Sequence, residues 1–95
     1  MPLMMMVGCV EGDEANGFQL ARVTEPEVIQ DRIPPEPPPG APLGEGRVAL
    51  IGTLDEFGVA RHVGHKVWAK GMLIEDDTGT RLNLVSITHL APACE

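Results

Sequence analysis

The segment "HKVWAKGMLIEDDTGTRLNLVSITHL", residues 65–90, constrains the fold more than any other part of the chain. In 65–75, Val67, Ala69, Gly71 and Leu73 alternate with Lys66, Trp68, Lys70 and Met72. A period of two belongs to a strand with one face toward a core. "DDTGT" at 76–80 has hairpin-turn chemistry. Residues 81–90 return with Leu82 and Leu84 inward and a register change expected near Val85 or Ser86. Gly71 in mid-strand predicts a bend or bulge of the kind that curls a sheet into a small barrel.

The preceding chain adds shorter runs of the same kind. "LMMMVGCV" at 3–10 and "FQLARVT" at 18–24 flank the polar stretch "EGDEANG" and read as a hairpin, with a slip before Val23. "GRVALIGTL" at 46–54 is a third strand, apolar on both sides. "LDEFGVARHVG" at 54–64 is short and holds Gly58, so a turn or two of helix or a loop is expected, with Gly64 turning the chain into the next strand. Between the second and third strands the composition changes. Residues 26–42 contain seven prolines. Proline donates no backbone hydrogen bond and restricts its predecessor, so this stretch is neither helix nor central strand. An insertion loop at 26–45, open or polyproline II, is predicted, with "EVIQDRI" forming a single helical turn.

These elements make an all-β chain: one domain over 1–95, a five-stranded barrel with a short helical turn before strand four. Its core must be built from Val, Leu, Ile and Met, because 43% of the residues are apolar and only 3% aromatic. The net charge of −7 disfavours non-specific binding to polyanions. That charge is uneven: residues 1–46 hold eight acids and two bases, residues 47–95 six acids and five bases.

Cys9 and Cys94 are the two cysteines. Joined, they would close nearly the whole chain into one loop and require an oxidising compartment. Two separate thiols are the alternative. No run approaches the roughly 20 apolar residues of a transmembrane helix. "MPLMMMVGC" reads as a first strand; as the remnant of an export signal it would make Cys9 a lipidation site.

Taken together, Gly8 and Cys9, the turn Val63-Gly64-His65 leading to Val67 and Gly71, then Ser86, Ile87 and a closing Cys94 resemble a group of small bacterial exported domains of unknown function. That group is similar to oligonucleotide/oligosaccharide-binding (OB-fold) barrels. The resemblance implies a periplasmic or secreted location and carries over no catalytic residues.

Three constellations remain. Lys66, Trp68 and Lys70 share one strand face and form a candidate ligand face, a stacking platform flanked by cations. The competing reading is a tryptophan packed under the proline loop with lysine stems beside it. His62, His65 and His89, with Cys94, are weak candidates for a tetrahedral metal site. Otherwise His65 stabilises its turn and the other two lie on the surface. "EDDTGTR" lacks calcium-loop spacing, and neither a phosphate loop nor a G-x-S-x-G is present. The expectation is a non-catalytic domain, without cofactor, that binds a ligand or protein partner in the cell envelope. The alternative is a single-stranded nucleic-acid-binding module using Trp68, Lys66 and Lys70.

Overall fold

The computed structural model describes residues 3–94. Six strands run β1 Leu3–Asp13, β2 Gly17–Val23, β3 Glu27–Val28, β4 Gly46–Ile51, β5 Lys66–Asp76 and β6 Gly79–Ala91, with a 3-10 turn at Val59–His62 between β4 and β5. The pairings form a circuit: β1 with β2, β2 with β4, β4 with β6, β6 with β5, and β5 back to β1. All are antiparallel except β4–β6, which is parallel. The result is a small all-β domain whose sheet pairs around on itself into a ring of five strands.

Alternation places the core inside that ring. Met6 and Val10 of β1, Phe18, Leu20 and Val23 of β2, Val48 and Leu50 of β4, Val67 and Ala69 of β5, and Leu82 and Leu84 of β6 pack together. Val59 of the 3-10 turn joins them and is buried. A second cluster of Val7, Trp68 and Leu90, with Met5 and Leu43 against it, lies on the opposite strand face.

Three one-residue irregularities decide which side chains face in. In β2 the register against β4 shifts between Ala21 and Val23, where Arg22 takes a φ of 54°, and Val23 returns to the core. The shift matches the slip expected from the apolar pattern. In β6 the register against β5 shifts twice. Lys70 faces Ser86 while Gly71 faces Leu84, leaving Val85 unpaired; Lys66 faces Ala91 while Val67 faces His89, leaving Leu90 unpaired. The first shift falls where Gly71 and the Val85–Ser86 pattern place it. Leu90, two residues beyond the Thr88 that faces Trp68, joins the outer cluster.

The stretch 27–33 is not the helical turn expected of it. Glu27 and Val28 instead pair with Met5 and Met4 of β1, and the Ile29 amide donates to the Leu3 carbonyl at 2.9 Å. The reason is the open edge of β1: the first residues of that strand lie beyond its pairing with β2, and a β-branched Val28 favours an extended backbone. The proline stretch that follows is irregular as far as β4. Among the described residues no helix is long and apolar enough to cross a membrane.

Candidate functional site

Cys9 and Cys94 are paired, with Cα atoms 6.1 Å apart and a sequence separation of 85. Cys9 sits in the middle of β1, opposite both Ala21 and Lys66. Its sulfur is committed to Cys94, so neither is available as a lipid attachment point or a thiolate ligand. The carbonyl of Cys94 accepts a hydrogen bond from Arg22 Nη1 at 2.8 Å, which fixes the terminal segment against the β2 bulge.

The Lys66–Trp68–Lys70 face points out of the ring, as its spacing requires, and is covered. Trp68 is only 5% exposed, packed on Val7 and Leu90. It shares a cavity with Pro35, Pro37 and Pro38 of the insertion. Lys70 lies over the indole with its Nζ 4.1 Å from the ring centroid, a cation–π contact. Lys66 is 1% exposed. Its ammonium donates to the carbonyls of Pro39, at 3.0 Å, and Ala41. The physical cause lies in the loop: prolines supply carbonyl acceptors without amide donors, so a long cationic donor from the strand beneath satisfies them. The loop returns to the sheet where the Gly44 amide donates to the Arg22 carbonyl at 2.9 Å.

The three histidines converge. One candidate ligand nitrogen from each of His62, His65 and His89 lies within 4.8 Å of the other two. Ring centroids are 4.9 Å apart for His65–His89, 5.9 Å for His62–His65 and 6.1 Å for His62–His89. Three elements place them. His62 ends the 3-10 turn, and its carbonyl accepts the His65 amide at 2.8 Å. Gly64 between them takes a φ of 85°, a conformation open to glycine. Two bonds clamp this turn to β1: the Gly64 amide to the Val10 carbonyl at 2.9 Å, and the Val10 amide to the His65 carbonyl at 3.2 Å. His89 faces Val67, two residues beyond His65, across the β5–β6 ladder. The turn is therefore held by backbone hydrogen bonds, those of His65 among them. Nδ1 of both His62 and His65 is buried without a protein hydrogen-bond partner among the described residues. Burial holds the His62 pKa below its ordinary value, and the charges of His65, His89 and Arg61 push the same way. The neutral imidazole is favoured there.

At the other end of the β5–β6 hairpin is a groove of about 550 Å3 that the sequence did not single out. Its floor is Val23, Val48 and Leu73; Glu25, Glu45 and Glu75 line its sides, with Arg47 as the one base. All three glutamates are exposed. Arg47 is partly neutralised by Glu11, 3.1 Å away. The signal was present in the concentration of acids before residue 46, but their meeting depends on how the ring closes. The adjoining β5–β6 turn is built on Asp76, which accepts from the Thr78 amide at 2.8 Å and pairs with Arg81. Those contacts, led by the Thr78 hydrogen bonds, hold its carboxyl below the usual range. Asp76 thus serves the turn.

Comparison with protein-family models, with curated proteins and with solved structures returns no match.

Proposed function

We propose that this chain is a non-catalytic, exported OB-fold-like domain that binds a cationic segment of a protein partner in the cell envelope. The observation that carries the reading is the acidic groove. An apolar floor walled by three exposed carboxylates complements a short chain bearing Lys or Arg: the stems of such residues pack on Val23, Val48 and Leu73 while their charges meet Glu25, Glu45 and Glu75. Two further features support it. Counting ring strands, the groove lies on the second and third, beside the turn joining the fourth and fifth, which is the region OB-folds use for ligands. The Cys9–Cys94 pair suits an oxidising, extracytoplasmic compartment.

The nucleic-acid reading needs Trp68 to be reached through the proline loop, and Lys66 to give up its two carbonyls. A two-arm titration of 15N-labelled protein separates the readings. With a trilysine peptide, amide shifts are expected around residues 25, 45 and 75, weakening with salt and lost in a Glu45→Gln/Glu75→Gln double variant. With a short oligothymidine, shifts centred on 66–70 and quenching of Trp68 would replace this proposal with the alternative. Silence in the groove toward the cationic peptide would end it.

A further inference from the structure

The histidine cluster carries an inference separate from the groove, at the opposite end of the β5–β6 hairpin. We propose that His62, His65 and His89 form a three-imidazole site for one zinc-class divalent ion, with a fourth position open to water or an external ligand. Zinc bound tetrahedrally through bonds of about 2.0–2.1 Å needs donor nitrogens roughly 3.3 Å apart. The nitrogens here already lie within 4.8 Å of one another. Rotation of the imidazoles about their broad χ2 wells is the movement available to close that gap.

The backbone beneath is well fixed. Gly64 and His65 are tied to Val10, His62 is tied to His65, and β6 holds His89 across from Val67. The Cys9–Cys94 pair braces the same end, since Cys9 faces Lys66 and Cys94 Sγ lies 3.7 Å from the Gly64 carbonyl. Packing alone accounts for part of the arrangement, because His65 meets both neighbours edge-on, at 82° and 81°. It leaves the two buried Nδ1 atoms unexplained. A buried polar nitrogen without a partner is costly, and direct coordination of a metal ion would give it one. His62 also borders a shallow cavity of about 300 Å3 with Glu56 and Arg61, an entry path for the ion and its water. Arg61 opposes a cation there and Glu56 favours one.

The donor set selects the metal. Three nitrogens and no carboxylate suit zinc and its neighbours, whereas magnesium and calcium require oxygen ligands. With both cysteines bonded to each other, no thiolate competes.

The test uses the full, tag-free, disulfide-intact chain stripped with chelator. Isothermal titration with Zn2+ near neutral pH is expected to show saturable 1:1 uptake, and Mg2+ none. Co2+ in place of Zn2+ is expected to give visible d–d bands of tetrahedral intensity. His89→Gln, an exposed position, is expected to keep the melting profile of the metal-free protein and weaken Zn2+ by at least about tenfold. His65→Gln is expected to do the same; if that variant does not fold, His89→Gln decides alone. Absence of saturable uptake, or a His89→Gln chain that binds Zn2+ as tightly as the original, overturns the proposal.

Discussion

Lys66 is the residue whose position departs furthest from its chemistry. A lysine on the outer face of a strand is ordinarily solvated, yet this one is among the most buried side chains in the molecule, holding two carbonyls of the proline loop and no acid. Hydrogen bonds from a charged donor contribute about 1.5–3 kcal/mol each, against which stands the cost of removing an ammonium from water. These terms oppose, so Lys66→Met is expected to change overall stability by no more than about 1–2 kcal/mol while freeing the loop. The readout is Trp68: its emission is expected to shift to the red in the variant as the prolines lift away. An unshifted spectrum would show that the loop stays down without the tether. The burial of Lys66 was only partly legible beforehand. The excess of acceptors in "PPEPPPGAP" was visible, but which donor reaches them depends on where the loop lands. The histidines teach the same lesson. Their residue types and the i, i+3 spacing of His62 and His65 could be read, whereas the side of the strand on which His89 stands is set by the Val85 irregularity.

Among the elements, β5 and β6 were the most readable, because a strict period of two admits few alternatives. Gly71 marked the place where that period breaks. A Cβ there would run into the Asn83 carbonyl oxygen and crowd Leu82 Cγ at 3.1 Å. Both neighbours are fixed by the ladder, and neither can yield cheaply. Gly71→Ala is accordingly expected to destabilise the fold by about 1–3 kcal/mol in urea denaturation. Gly40→Ala, where a new Cβ meets nothing within 4 Å, is expected to be close to neutral. Equal midpoints for the two variants would contradict the close approach of β5 and β6 at this point. β3 shows what periodicity misses. Two residues carry no pattern, and the pair forms only because β1 extends beyond its partner.

For the molecule as a whole, the disulfide is the largest single constraint. It joins positions 85 apart in a 95-residue chain whose core holds few aromatics. Chain entropy assigns such a closure roughly 4–5 kcal/mol. The Cys9→Ser/Cys94→Ser double variant is expected to lose about 2–5 kcal/mol. An unchanged unfolding midpoint would mean that the pair constrains little. The cysteine count suggested this bridge, and the ring explains it: the terminal segment returns past Gly64 to the strand that opens the chain. The acidic groove, by contrast, could not be assembled from sequence, because Glu25, Glu45 and Glu75 come from three separate segments.

That bridge also makes the chain nearly circular in a mechanical sense. Tension applied between its two ends would pass through the covalent link and leave every pairing from β2 to β6 slack. Among the strands, only the part of β1 before Cys9 lies outside the link and could peel away, roughly 20 Å of extended backbone. A force pulling on this domain would meet a tether of fixed length instead of an unravelling thread.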